Sequence, residues 1–383
     1  MRICHVSPHL PPDQAANALL PAELGRWAAG RGDDVVFAAH EPAQGRGVAD
    51  ALAGPVTWIP RRERSNAAWR ALRLDAWRQM RLITAALDRA ARGAQLLHLH
   101  SNGLIIEVAA AWAGRHRVPY ILTLYGTEIW HYRRRWPIDP FRRAYMRAAA
   151  VTFYSQRLVD KARELGLDRR RLSVIYPAVA VAFAPQNEPT RAAWRDALGI
   201  HEPHVILNVK RLHELAGQRF LIEAFARVAR GRHDLRLVIC GTGPLKQDLE
   251  ALVHSLGIER RVTFTGLVAN DAVARYAAVA DVFVLPSLLE ALPTVAVEAL
   301  ASGTPVISAD HPGGVELHGI FGDDVLVVPK GNVDALARAL QEFLAAPARV
   351  RPDTLDLVAK HFGPDAVHAA YDAVYRRAVE GGK

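Results

Sequence analysis

The run Pro286-Ser287-Leu288-Leu289-Glu290-Ala291-Leu292-Pro293-Thr294-Val295-Ala296-Val297-Glu298-Ala299-Leu300-Ala301-Ser302-Gly303 decides how this chain is read, because it sets two carboxylates eight residues apart across a strand-to-helix turn. The stretch Asp281 to Leu285 predicts a buried parallel strand ending at Pro286, Thr294 is the expected N-cap of a helix, and Gly303 its stop. Glu290 then falls in the loop and Glu298 one turn inside the helix. The unpaired amides of the helix start, with the positive end of its dipole, make a ready phosphate site between them. Two acceptor carboxylates beside an anion site suit a sugar nucleotide.

Working outward, 383 residues are too many for one ordinary core, and about two domains are expected. No stretch approaches the roughly 20 uninterrupted apolar residues of a membrane span, so a soluble or monotopic protein is expected. The opening Met1-Arg2-Ile3-Cys4-His5-Val6 reads as a first strand rather than a signal peptide. Cys4 and Cys240 both fall in predicted buried strands, as small core residues of a cytosolic protein. The formal net charge of +9 is uneven: residues 1–178 carry 27 Lys+Arg against 15 Asp+Glu, a net of +12, and residues 179–383 carry 21 against 24, a net of −3. An anionic partner is therefore expected for the first half only.

Short apolar strands alternate with helical patterns in both halves, the mark of parallel α/β domains. In the first half the strands are expected near Arg2–Ser7, Val35–Ala39, Leu96–His100, Tyr120–Leu124, Val151–Tyr154 and Ser173–Tyr176. In the second they are expected near Val205–Val209, Arg236–Cys240, Val262–Thr265, Val282–Leu285, Val306–Ser308 and Val325–Val328. The Pro-bearing stretch Ala184 to Pro189 reads as the linker. The resulting domains are 1–180, 190–362 and a C-terminal helix within 363–383.

Taken in order, the opening strand ending at Pro11-Pro12, Tyr125-Gly126-Thr127-Glu128, Arg211-Leu212-His213-Glu214, Gly241-Thr242-Gly243-Pro244, the Glu290-x7-Glu298 run and Gly313-Gly314-Val315-Glu316 resemble the retaining glycosyltransferases of family 4. The resemblance covers nearly the whole chain. It implies the GT-B fold, an α/β architecture of two Rossmann-like doubly wound parallel-sheet domains facing a central cleft. The N-terminal domain would take the acceptor, the C-terminal domain the nucleotide sugar, and the last helix would cross back to the first domain.

The resemblance further implies that Glu298 accepts hydrogen bonds from the donor ribose, and that Glu290, with Ala291, Leu292, Pro293 and Thr294, lies along the donor sugar and phosphates. Pro293 supplies no amide. Arg211 would clamp the diphosphate with a permanently charged fork. The family's usual lysine five residues later is Ala216 here, and Lys210 or Arg219 is expected to stand in for it. Gly241 and Gly243 would allow close backbone approach to the nucleotide, and Val268 would touch the base edge or simply end a turn. On the acceptor or sugar side stand Tyr125, Gly126 and Glu128, with Ala15 and Ala16 where the family shows a glycine pair and Tyr125 where it shows a histidine. Tyr125 could hydrogen-bond a sugar hydroxyl.

No cofactor and no metal are expected: His98 and His100 lie on one strand face beside nothing complementary, and Asp323-Asp324 is a short acidic turn. Two segments mix Arg with aromatic residues, Trp58 to Arg81 with seven Arg and Trp130 to Arg147 with six. Such mixtures favour an anionic membrane surface or acceptor over nucleic acid. The expected activity is metal-independent, retaining transfer of a hexose from a UDP- or GDP-type donor to a glycan or lipid-linked acceptor in cell-surface polysaccharide or glycoconjugate synthesis. The site would be cytoplasmic, peripheral to the inner membrane face. A nucleotide-sugar epimerase of the same fold and a non-catalytic sugar-nucleotide binding protein are the alternatives.

Overall fold

A computed structural model describes residues 1–13, 16–42, 52–61, 74–168 and 171–381. The chain divides into two compact units, residues 1–176 with 368–383, and residues 177–367.

The first unit is built on β1 (Arg2–Ser7), β2 (Asp34–His40), β3 (Val56–Ile59), β4 (Leu96–His100), β5 (Tyr120–Leu124), β6 (Ala150–Phe153) and β7 (Leu172–Val174). They form one parallel sheet in the order β3-β2-β1-β4-β5-β6-β7. Every residue of β4 and β5 is buried, which is what covering both faces of a parallel sheet with helices demands. β3 was not foreseen: its residues are mostly half-buried, as an edge strand allows, so the apolar signal there is weak. Tyr371 and Tyr375 of the last helix, Pro364–Glu380, are 1% and 0% exposed, and the Tyr375 hydroxyl lies 2.8 Å from His98 Nδ1.

The second unit holds β8 (His204–Val209), β9 (Leu235–Cys240), β10 (Val262–Gly266), β11 (Val282–Leu285), β12 (Val306–Ala309) and β13 (Val325–Val328). Their parallel order is β10-β9-β8-β11-β12-β13. The stretch 184–189 is not simply a linker, since Asn187 caps a helix running Glu188–Ala197 that has Pro189 in its first turn. The order of strands reverses between β9 and β11, on either side of β8. Crevices outside the carboxyl ends of strands at such a switch point are where doubly wound sheets take their ligands.

Candidate functional site

The donor-side residues named from the sequence sit on segments that leave β8, β9 and β11 near this switch point, except Val268, which follows β10. At the end of β8 the chain turns through Lys210 and Arg211, anchored by Lys210 N–H to Cys240 O at 3.0 Å and Leu212 N–H to Thr242 O at 3.0 Å. This explains the glycines after β9. A Cβ on Gly241, whose φ is +140°, would stand 2.1 Å from Lys210 O, and one on Gly243 would stand 2.2 Å from Leu212 O. Their lack of side chain therefore lodges the 210–212 segment, where the sequence suggested approach to a ligand. Gly217, with φ of +68°, plays the same part against Pro286 O at 2.2 Å.

After β11 the chain runs through the loop to a helix, Thr294–Ala301, whose N-cap is Pro293. Thr294 is thus the first helical residue rather than the cap, and the helix start carries no side-chain cap. Its first amides are left available. Glu290 in the loop forms an ion pair with Lys210, Nζ to Oε1 at 2.5 Å, with the two side chains 17% and 23% exposed. Arg211 beside it is exposed. The Glu298 side chain is largely buried, its carboxylate has no hydrogen-bond or ion-pair partner among the described residues, and burial pushes it up to about 7.

The start of the next helix, Pro312–Phe321, fixes this loop from the other side. Gly313 N–H donates to Glu290 O at 3.1 Å, and a Cβ there would lie 2.6 Å from Pro293 Cδ. His311, fully buried, caps the helix by accepting from Gly314 N–H at 2.9 Å, and burial holds its ring down to about 4, neutral and able to accept. The pair Gly313-Gly314 was visible in the sequence as part of a pattern; the seat it makes for Glu290 and Pro293 was not.

Two stand-ins were named for the cation missing at Ala216. Ala216 is fully buried in a tight turn, Glu214–Ala216. Arg219 is exposed and pairs with Glu223 at 2.7 Å, one helical turn on, whereas Lys210 faces Glu290. Val268 is half-buried in the turn after β10, next to Leu267, which is exposed.

In the first unit, Glu128 is buried and accepts from Ser101 Oγ at 2.6 Å, Gly126 N–H at 2.8 Å and Tyr125 N–H at 3.2 Å. Its carboxylate shapes the Tyr125-Gly126 turn, where Gly126 has φ of +145°. The Tyr125 hydroxyl is turned inward, 2.8 Å from His100 Nδ1. Ala15 lies outside the described residues, and Ala16 opens the first helix, Ala16–Gly30.

His98 and His100 do have a complement, contrary to the sequence reading. His5 on the neighbouring strand β1 puts Nδ1 3.0 Å from His100 Nε2, and the imidazoles of His5, His98 and His100 offer ligand atoms within 4.8 Å of one another. Both nitrogens of His98 are already engaged, by the Tyr375 hydroxyl at 2.8 Å and Thr123 Oγ1 at 2.6 Å. The His98 and His100 rings lie 4.0 Å apart at 31°, close to stacking rather than converging edge-on. The trio is a buried hydrogen-bonded stack, and burial lowers all three rings, His5 to about 3. Asp324 is likewise engaged in structure, accepting from Thr354 Oγ1 at 2.6 Å and Arg351 N–H at 3.2 Å.

Residues 190–354 match the family profile "Glycosyl transferases group 1", and residues 21–183 match "Glycosyltransferase Family 4". The 2-deoxystreptamine glucosyltransferase of Streptomyces kanamyceticus is 31% identical over 293 residues, 72% of this chain and 75% of that one. The GDP-mannose-dependent alpha-(1-6)-phosphatidylinositol monomannoside mannosyltransferase of Mycolicibacterium smegmatis is 29% identical over 266 residues, 66% of this chain and 67% of that one. Among solved structures, Anabaena HepE in complex with UDP superposes with a TM-score of 0.77 at 17% identity, covering 98% of this chain and all of that one. Sucrose-phosphate synthase from Thermosynechococcus elongatus gives 0.74 at 21% identity, with 99% of each chain covered. The fold is therefore GT-B, and the chain belongs to the glycosyltransferases of family 4.

Proposed function

We propose that this glycosyltransferase moves a hexose, with retention, from a nucleotide diphosphate sugar to a glycan or lipid-linked acceptor. The observation that carries the reading is Glu298: a desolvated carboxylate with no partner among the described residues, one turn inside a helix with an uncapped start. A carboxylate taken out of water without a hydrogen bond is costly, so a ligand that donates to it regains that energy. A ribose diol has the right chemistry. Glu290 and Lys210 would face the hexose and phosphates, Arg211 would hold the diphosphate, and the free amides at Thr294 would add to the anion site.

In this reading the bond from sugar C1 to the phosphate oxygen breaks and a bond from C1 to the acceptor oxygen forms on the same face. The acceptor proton passes to the departing phosphate, whose charge the cations stabilise. No residue then needs to act as a covalent nucleophile, and neither a metal nor a cofactor is required. That one relative is a glucosyltransferase and another depends on GDP-mannose supports a hexose donor. The basic first half suits an anionic acceptor or membrane face in the cytoplasm. Among the described residues no helix is long and apolar enough to cross a membrane.

The test is a thermal-shift screen of nucleotide diphosphate hexoses followed by product analysis with and without acceptors. A ligand at a hundred times its Kd stabilises by about 2.7 kcal/mol. No shift with any donor would overturn the reading, and conversion of the donor to an epimer without acceptor would replace it with the epimerase.

A further inference from the structure

Residues 133–147 of the first unit leave an apolar and cationic face uncovered. Trp136 is 88% exposed and Ile138 70%, and Met146 is exposed beside them. The helix that follows, Pro140–Arg147, buries Phe141, Ala144 and Tyr145 on one side. Its other side presents Arg143 and Arg147, one turn apart. These two arginines line both of the hollows that flank the helix, one of about 360 Å³ with Trp136 and Met146, the other of about 480 Å³ with Ile138 and Pro140. Trp136 and Met146 thus share one of these hollows with the two arginines, and Ile138 shares the other.

The charge on that face is one-sided. Residues 133–147 hold six arginines and a single acid, Asp139. Asp139 is taken up locally, capping the helix through Arg142 N–H at 2.9 Å and accepting from the Tyr132 hydroxyl at 2.7 Å. Of the six arginines, Arg135 alone has an ion pair among the described residues, with Glu107 at 3.2 Å. The apolar character also continues onto the neighbouring helix Leu74–Ala90. There Trp77 is 53% exposed with the Arg81 guanidinium 4.7 Å above its ring, beside a hollow of about 640 Å³ that shares Pro140 and Glu107 with the hollow lined by Ile138.

We infer that this face docks the protein on an anionic lipid bilayer, with Trp136 and Ile138 entering the headgroup boundary and Arg143 and Arg147 meeting lipid phosphates. This deepens the proposed membrane location by naming the surface. A large aromatic with an aliphatic neighbour, ringed by guanidinium groups of which only Arg135 is ion-paired among the described residues, matches the interface of a bilayer, where one end of each side chain is apolar and the other wet. Nucleic acid would use the arginines and could stack on Trp136, but it offers nothing to Ile138 and Met146.

The experiment is cosedimentation of the full-length protein with vesicles of phosphatidylcholine alone and of phosphatidylcholine with phosphatidylglycerol. Binding to the anionic vesicles only, released by salt, is expected. Arg143→Ser with Arg147→Ser should weaken it about tenfold or more and flatten its salt dependence. Trp136→Ser with Ile138→Ser should weaken it to a similar degree while leaving the salt dependence of the residual binding in place. Each variant should keep the wild-type thermal shift with a nucleotide diphosphate sugar, which separates failure of this surface from failure of the donor site. Wild-type binding in both double variants, equal binding to neutral vesicles, absence of binding, or tighter binding to single-stranded RNA than to anionic vesicles would each overturn the assignment.

Discussion

Lys210 and Glu290, eighty residues apart in sequence, meet as an ion pair of 2.5 Å at the carboxyl ends of β8 and β11. Each charge has the other as its partner while no donor is present. A diphosphate would compete with Glu290 for the ammonium, and a sugar hydroxyl would compete with Lys210 for the carboxylate. The pair holds both side chains in place until that exchange.

Lys210→Ala should therefore weaken a nucleoside diphosphate about tenfold to a hundredfold, the equivalent of one charged hydrogen bond of roughly 1.5–3 kcal/mol, and leave the nucleoside itself nearly unaffected. Calorimetric titration of both ligands checks this. Equal losses for the two would remove the phosphate role. Ala216→Lys in the Lys210→Ala background should restore part of the diphosphate affinity, because it returns a cation to the position at which the family carries one.

Glu290→Gln removes the charge but keeps the shape, so its main effect should be on kcat with a donor sugar, by about tenfold or more. Affinity for the nucleoside diphosphate without a sugar should hold or rise, since Lys210 is then released. Measuring both on one preparation separates a role toward the sugar from a role in folding the loop.

Gly313→Ala probes the packing behind Glu290. Its methyl would meet Pro293 Cδ at 2.6 Å and Ala291 O at 2.9 Å. Overpacking of this kind costs about 1–3 kcal/mol where neighbours are fixed. The loop can give way by shifting the segment 290–293, so donor affinity should fall by more than the melting temperature suggests. A variant with wild-type donor binding would show that the loop's position is not held by this contact.

The strands and the Glu-x7-Glu run were legible because buried parallel strands write continuous Val, Ile and Leu runs, and because a loop carboxylate beside a helix start has few packing explanations. What was hidden depends on chain segments meeting across long separations. The Lys210 and Glu290 pair has no local signal. The reason for Gly241 and Gly243 lay in the carbonyls of Lys210 and Leu212 rather than in a ligand. His5 could not be joined to His98 and His100 without knowing that β1 lies beside β4. The edge strand Val56–Ile59 was missed because partial exposure erases its apolar run. Within the segment Trp58 to Arg81, residues 62–73 lie outside the described residues.

Glu298 and the histidine trio make opposite demands on pH, and this yields the last prediction. Glu298 has its carboxyl raised from 4.5 to about 7, so between those values the folded protein holds a proton that the unfolded chain has lost. Its contribution to stability falls as pH rises through that window, by about 3 kcal/mol in all. His5, lowered to about 3, is neutral when folded and charged when unfolded below its ordinary 6.5, so stability falls as pH drops, by about 1.4 kcal/mol per pH unit. His98 and His100 act in the same direction. Near pH 5.5 these four groups together should take up about two protons on unfolding, three into the histidines less one released by Glu298. Glu298→Gln should raise the uptake by about one and steepen the acid loss of stability, while His5→Phe, whose ring can keep the stack on Phe37, should lower it by about one. Melting temperatures across pH 5 to 8, with calorimetric enthalpies in buffers of different ionisation heat, measure this directly. Donor binding supplies the control: ribose hydroxyls donating to Glu298 favour its ionised form, so donor affinity should rise with pH through 7 in the wild type more steeply than in Glu298→Gln. A wild-type protein whose stability and proton uptake match those of both variants at pH 5.5 would show that neither Glu298 nor His5 is desolvated as described.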